Sequence, residues 1–169
     1  MSPARIFILD ANVFIESAKR YYAFDIAPGF WDALIRHARG GLVRSIDKVK
    51  DEIDRGNDDL TTWIGGNFHQ WFDSTNQQDV IDAYATVMGW AQSQPQYIPG
   101  AKAEFANNAD GWLIAFALAK GFTVVTDERY NSDIKRRIPI PNACNGVGVS
   151  YLDTFALMRE LGVKLSSPA

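Results

Sequence analysis

Two strongly hydrophobic segments organise the pattern of apolar positions in this chain. The first covers residues 5–9 and the second residues 122–126, and an aspartate, Asp10 or Asp127, follows each run directly. Runs without polar alternation are typical of parallel strands buried on both faces. Shorter apolar segments predict two further strands, at residues 42–44 and 146–149.

Between these runs the apolar positions recur with helical spacing. Helices are predicted over residues 13–20, 30–39, 46–55, 58–63, 79–94, 109–120 and 152–161, and a proline-punctuated loop over residues 137–145. Strands that alternate with helices favour an α/β fold with a parallel sheet. Residues 57–107 carry no strand signal, so they predict an inserted helical lobe.

The composition predicts one hydrophobic core and fits a reducing cellular compartment. The chain has 169 residues, of which 47% are hydrophobic, which predicts a single domain over residues 1–169. No apolar segment approaches the ~20 residues that a membrane span needs, so we expect a soluble, cytoplasmic protein without a membrane partner. The single cysteine, Cys144, fits a reducing compartment.

The charge balance excludes one class of nucleic-acid binder. A net charge of -3 and a pI near 5.3 argue against a protein that coats nucleic acid through a basic face. They are compatible with a nuclease, since a carboxylate-rich centre lowers the net charge while a local basic patch holds the substrate. The run Lys135-Arg136-Arg137 is the candidate RNA-binding patch, with a solvated surface as the alternative.

Both predicted buried strands deliver an acid at the same kind of position. Asp10 and Asp127 each stand where a strand ends, and the carboxyl ends of neighbouring parallel strands share one edge of the sheet. We therefore expect the two carboxylates to lie together. The alternative for Asp10 is an ordinary helix N-cap.

Two predicted helices each add one more acid. Glu52 borders the apolar face of its helix, while its neighbour Asp51 points away; a surface glutamate is the alternative. Asp110 lies on the apolar stripe of its helix, because the positions three, four and seven residues later are apolar. A carboxylate rarely occupies such a stripe without a partner, although a first-turn acid can also serve the helix dipole.

Four converging carboxylates predict a site for a hard divalent cation. Mg²⁺ and Mn²⁺ prefer oxygen ligands, and a bound cation can activate water and stabilise the charge of a phosphodiester under attack. Other chemistries lack support, since His37 and His69 have no metal-ligand spacing and there is no phosphate-binding glycine loop. A phosphatase or phospho-accepting receiver would need a second acid where Asn12 stands.

In combination, these motifs resemble the PIN-domain family. The resemblance runs in order over nearly the whole chain, through residues 8–12, the Glu52 helix, residues 108–115 and residues 124–127. Residues 138–144 are also similar to a prokaryotic PIN subfamily without assigned function. The resemblance implies a three-layer α/β/α fold with a central parallel sheet and a Mg²⁺- or Mn²⁺-dependent endoribonuclease. It also implies a VapC-like toxin with a cognate antitoxin partner and a homodimeric state.

The resemblance further implies a role for individual residues. The metal-binding and catalytic acids would be Asp10, Glu52, Asp110 and Asp127, with Asn12 and Thr126 as supporting polar groups. Many family members carry a further acid where this chain has Asn131, and Glu128 or Asp133 could replace it. The alternative reading is a catalytically inactive PIN-like module that binds RNA or protein.

Overall fold

The computed structural model describes residues 4–166, which form a three-layer α/β/α fold around one parallel sheet. The five strands, in spatial order β3-β2-β1-β4-β5, are β1 (Phe7–Leu9), β2 (Val43–Ile46), β3 (Phe72–Asp73), β4 (Thr123–Val125) and β5 (Tyr151–Leu152). The predicted fold class is therefore confirmed.

Nine α-helices cover the sheet within the described residues. They are α1 (Ala11–Glu16), α2 (Pro28–Arg39), α3 (Asp47–Asp54), α4 (Asp59–Asn67), α5 (Gln78–Ser93), α6 (Pro99–Asn107), α7 (Asp110–Lys120), α8 (Ile140–Val147) and α9 (Thr154–Glu160). A π-helical turn, Ser17–Tyr21, extends α1, and a 3-10 turn, His69–Trp71, leads into β3. None of the described helices is both long and apolar enough to cross a membrane.

The centre of the sheet explains the two apolar runs. Ile8 and Leu9 of β1 and Val124 and Val125 of β4 are all completely buried, since helices cover both faces of these strands. The strands pair in parallel, with Leu9 opposite Val125. This register decides which residues meet at the carboxyl edge, where the candidate site lies.

The predicted lobe at residues 57–107 contains a strand that the sequence pattern did not reveal. β3 consists of only Phe72 and Asp73, and it pairs with the end of β2 at the sheet edge. Arg44 of β2 holds this edge through two hydrogen bonds to the carboxylate of Asp73, at 2.5 and 2.6 Å. Two residues are too few to show a periodicity, and the partner cation lies 29 positions away.

The lobe packs closely against the helix that carries Asp110. A Cβ added at Gly111 of α7 would lie 2.6 Å from the Cε atom of Met88 on α5, and one added at Gly146 of α8 would collide with the indole of Trp90. The two glycines thus allow α5 to approach α7 and α8. The lobe therefore supports the site helix directly.

Two further predictions near the C-terminus were wrong. Residues 137–145 are not simply a loop, because α8 begins at Ile140 with Pro139 at its N-cap and Pro141 in its first turn. Proline is compatible with the start of a helix, since the N–H groups there have no intrahelical partner. The last strand is Tyr151–Leu152 rather than residues 146–149.

Burial in α8 raises the pKa of the Cys144 thiol to about 12, which favours a packing role for this residue.

Candidate active site

Asp10 is the buried centre of the carboxyl edge. Its side chain is only 2% exposed, and its backbone N–H donates to the carbonyl of Val125 at 3.0 Å. The carboxylate occupies the N-cap position of α1 but makes no capping hydrogen bond. Its Oδ2 instead accepts a hydrogen bond from the Thr126 hydroxyl at 3.2 Å. The backbone N–H of Asn12 also lowers the pKa of this carboxylate, so a weak capping contact accompanies the Thr126 hydrogen bond.

Register explains why Thr126 is the partner of Asp10. Leu9 lies opposite Val125, so the next residues of the two strands, Asp10 and Thr126, fall opposite each other and point to the same side. Thr126 is 1% exposed, and its hydroxyl also accepts a hydrogen bond from the backbone N–H of Glu128 at 3.2 Å. The prediction of Thr126 as a supporting polar group remains a prediction, now with a specific contact. Asn12, the other predicted supporting group, is exposed at the edge of the site.

Two more acids act electrostatically on Asp10. Burial, together with the charges of Asp110 and Glu52, raises the pKa of Asp10 to about 8, although the Thr126 hydrogen bond works in the opposite direction. Burial and the charge of Glu52 likewise raise the pKa of Asp110 to about 6. Burial also raises the pKa of Glu52, while Arg55 opposes that shift. Three of the four predicted acids thus form one electrostatic group, in which Asp110 and Glu52 raise the pKa of Asp10 and Glu52 raises that of Asp110.

The carboxylate of Asp110 is not used to cap its helix. Ala109 occupies the N-cap position of α7, and the Asn108 side chain accepts the hydrogen bond from the Asp110 N–H at 3.0 Å. The positive charge of Arg137 lowers the pKa of Asp110, and the negative charge of Glu104 raises it. Sequence reasoning missed Glu104 because α6 was not recognised as a separate helix.

Asp127 lies apart from this group of acids. It is exposed, and its two carboxylate oxygens accept hydrogen bonds from the backbone N–H and the hydroxyl of Thr154, both at 2.9 Å. It is not among the charges that shift the pKa of Asp10 or Asp110. Asp127 therefore fastens the start of α9 to the end of β4. Its predicted role as a metal ligand stays a prediction without a contact to support it.

Glu128 and Arg137 form an ion pair beside the acids. Glu128 is half-buried, and its carboxylate accepts a hydrogen bond from the Arg137 guanidinium. Arg137 also lowers the pKa of Asp110, so its charge acts on both carboxylates. Lys135 and Arg136, the other members of the candidate RNA-binding run, are exposed. Arg137 is the member of the run with an observed link to the acids.

The loop that carries Glu128 is held by a buried amide. Asn142 of α8 accepts a hydrogen bond from the Asn131 N–H at 3.0 Å and donates to the Asn131 carbonyl at 2.7 Å and the Tyr97 hydroxyl at 2.9 Å. Asn131 stands where a further acid was expected by resemblance, and here its backbone anchors the loop. Asp133 is exposed. No sequence pattern pointed to Asn142, because its segment was predicted to be a loop.

The acids suit a hard cation in donor chemistry. Three carboxylates supply oxygen donors, and a divalent cation would offset both the burial that raises the pKa of all three and the carboxylate charges that raise the pKa of Asp10 and Asp110 further. Among residues 4–166, no three carboxylate, imidazole or thiol side chains are already arranged as an ion cage. A cation would therefore have to draw these carboxylates together.

Comparisons with known proteins agree with the fold. The family model described as "Domain of unknown function (DUF4411)" matches residues 7–165, which is nearly the whole chain. No curated protein matches the sequence. The chain is similar in structure to FitAcB from Neisseria gonorrhoeae, with a TM-score of 0.56 and 17% identity over 87% of this chain and 96% of that chain. At this identity the similarity concerns the fold alone.

Proposed function

The chain belongs to the DUF4411 family, and we propose that it is a PIN-like, Mg²⁺- or Mn²⁺-dependent endoribonuclease. The observation that carries the proposal is the buried carboxylate of Asp10 at the carboxyl edge of a parallel sheet, whose pKa is raised by burial and by the charges of two other acids. Keeping such a group would be costly unless a cation or a proton compensates it. Sheet edges of this kind are where α/β proteins bind their ligands.

The surroundings of each acid define its proposed role in binding the cation. Asp10, fixed by β1 and by the Thr126 hydroxyl, would be the rigid ligand of the cation, and Glu52 and Asp110 would complete its shell from α3 and α7. A bound Mg²⁺ or Mn²⁺ supplies an activated water and stabilises the charge that develops on the phosphodiester. Arg137, which pairs with Glu128 and senses Asp110, would hold a phosphate oxygen of the RNA.

A fourth acid can come from either of two adjacent residues. Sequence resemblance pointed to Asp127, whose oxygens are engaged by Thr154. Glu128 is the stronger candidate, since it is linked through Arg137 to Asp110 and through its backbone to Thr126. We therefore propose Asp10, Glu52, Asp110 and Glu128 as the acids around the cation.

The biological role proposed here is that of a cytoplasmic toxin. Resemblance to the PIN family and the FitAcB-like fold support this role, and with it an antitoxin protein as partner. The homodimer is proposed from the family resemblance alone. Inhibition of cleavage by a small protein encoded next to this chain would test the antitoxin partner. Sedimentation of the purified protein would test the homodimer.

Cleavage of a mixed single-stranded RNA pool tests the activity. We would incubate the purified protein with EDTA, Mg²⁺ or Mn²⁺, beside the Asp10→Asn variant and a matched control, Asp32→Asn, which changes an exposed aspartate on α2. We expect metal-dependent cutting by the wild type and the control, and its loss in Asp10→Asn.

Binding of Mn²⁺ separates the proposal from its rival. A catalytically inactive RNA- or protein-binding module should show no Mn²⁺ binding that depends on Asp10. A folded wild-type protein that neither cuts RNA with any metal nor binds Mn²⁺ through Asp10 would overturn the nuclease proposal. It would support the binding module instead.

A further inference from the structure

A groove of about 970 Å³ opens beside the acids at the carboxyl edge of the sheet. Its inner end includes Thr126, whose hydroxyl donates to Asp10, and Asn12. Its walls come from the π-helical turn after α1, the loop after β4 and the start of α9. Thr126 therefore links the groove to Asp10, which lies directly behind it.

The groove gathers the exposed aromatic rings of the protein. Tyr21 is 63% exposed, Tyr130 53% and Phe155 56%, and all three line this one groove. The other strongly exposed large apolar residues in the described part of the chain are aliphatic, namely Ile26, Ile81, Ile98 and Leu165. Exposed rings are costly in water, so their concentration at one place indicates a ligand with flat apolar faces.

These three rings are also free to accept a stacking partner. Elsewhere, aromatic side chains pack on one another, as Tyr22 stacks on Phe30 at 4.3 Å and Tyr84 on Trp112 at 3.8 Å. Among the described residues, Tyr21, Tyr130 and Phe155 take part in no such pair. Their faces remain available to a ligand.

The groove is lined by four acids, Glu16, Asp127, Glu128 and Asp153, and by one cation, Arg129, and ion pairs with neighbouring arginines balance two of the acids. Glu16 pairs with Arg20 at 3.1 Å, Glu128 pairs with Arg137, and Asp127 accepts two hydrogen bonds from Thr154. The strongest feature that the groove offers to a ligand is therefore its rings rather than a net charge.

We propose that this groove binds the unpaired bases of single-stranded RNA, which stack on Tyr21, Tyr130 and Phe155 while the strand runs toward Asp10. The inference rests on the proposed nuclease function, whose substrate it restricts to unpaired segments. Stacking on aromatic side chains tolerates any base, because every base has a flat face. Duplex RNA hides these faces within its helix, so it cannot use the rings.

Fluorescence anisotropy of a labelled single-stranded RNA of about 12 nucleotides, in EDTA to prevent cleavage, tests this groove. We would compare wild type with Tyr21→Ala and Phe155→Ala, and with the conservative Tyr21→Phe. Ile81→Ala is the matched control, since Ile81 is an exposed apolar residue on α5 that does not line the groove. Circular dichroism would verify that each variant is folded.

We expect each alanine variant to lose affinity by about fivefold to tenfold, as for other base-stacking rings. Tyr21→Phe and Ile81→Ala should bind like wild type, and a duplex of the same sequence should compete poorly. Wild-type affinity in both alanine variants, equal competition by the duplex, or no binding by wild type would overturn the inference. So would ring-dependent binding of an oligo-arginine peptide alongside ring-independent binding of RNA, which would make the groove a protein-docking site.

Parallel cleavage assays with Mn²⁺ keep the two proposals apart. If the wild type cuts RNA but the Tyr21→Ala and Phe155→Ala variants bind RNA as tightly as wild type, only the stacking groove is overturned. Wild type that binds RNA through these rings but cuts nothing overturns the nuclease alone.

Discussion

Asp10 and Asp127 terminate neighbouring parallel strands at one edge of the same sheet, yet they have opposite surroundings. Asp10 is 2% exposed and lies among other carboxylates, with burial as the main cause of its raised pKa. Asp127 is exposed, and both of its oxygens accept hydrogen bonds from Thr154. The carboxylate of Asp10 is therefore buried beside other acids, while that of Asp127 attaches the start of α9.

A shift of one residue in register produces this difference. Leu9 pairs with Val125, so Asp10 lies opposite Thr126, and Asp127 falls one position beyond. Because side chains alternate along a strand, one position reverses the direction in which a side chain points. Two acids that look equivalent in sequence therefore have different partners, Thr126 for Asp10 and Thr154 for Asp127.

The largest expected difference between the two aspartates is in catalysis. Asp10→Asn removes the fixed carboxylate of the proposed cation site and should lower the rate of RNA cleavage by about 100-fold in Mn²⁺. Asp127→Asn changes a carboxylate engaged by Thr154 and should lower the rate by no more than about threefold. Initial rates on a labelled single-stranded RNA measure both. Equal losses in the two variants would place Asp127 in the same centre and break the comparison.

Stability as a function of pH should separate the same two residues. Without metal, the pKa of Asp10 is raised from 3.8 to about 8, so the folded state holds a proton that the unfolded state releases between these values. The free energy of unfolding should therefore fall as pH rises from about 4 to about 8. Asp10→Asn removes the part of this dependence that Asp10 causes, while Asp110, whose pKa is about 6, keeps a smaller fall at lower pH. The variant should be more stable than wild type at pH 8 by roughly 1–3 kcal/mol, since one pKa unit is worth about 1.4 kcal/mol.

Urea unfolding in EDTA at pH 5 and pH 8 measures this effect. The Asp127→Asn variant is the control, because it keeps Asp10 and should keep the pH dependence that Asp10 causes. A flat wild-type profile would show that Asp10 is not held in its protonated form in the metal-free protein.

The sequence predicted the parts of this site that depend on local pattern. Asp10 follows a fully apolar strand, and Asp110 lies on an apolar helical stripe. In both cases the local pattern predicted an acid beside buried apolar residues. The register between β1 and β4 joins residues 116 positions apart and leaves no local trace. The two-residue strand β3 and the proline-initiated helix α8 were missed for the same reason, since pairing and burial define them rather than periodicity.

Metal affinity should distinguish Glu128 from Asp127 as the fourth acid. Glu128→Gln removes a half-buried carboxylate that pairs with Arg137 and should weaken Mn²⁺ binding by about tenfold. Asp127→Asn should leave Mn²⁺ affinity close to that of wild type. Calorimetric titration of Mn²⁺ measures both without relying on activity. The opposite ranking would restore Asp127 as the ligand that resemblance implied.

The smallest expected effect concerns the helix that Asp127 holds. Thr154→Val removes the hydroxyl that donates to Asp127 at 2.9 Å but keeps the shape of the side chain, so the protein should lose about 1 kcal/mol of unfolding free energy. Thr154→Ser keeps the hydroxyl and serves as the control. Urea unfolding measures the loss, and the Mn²⁺ affinity of Thr154→Val should match wild type. If Thr154→Val instead weakened Mn²⁺ binding as strongly as Glu128→Gln, the Asp127–Thr154 contact would belong to the cation site rather than to the attachment of α9.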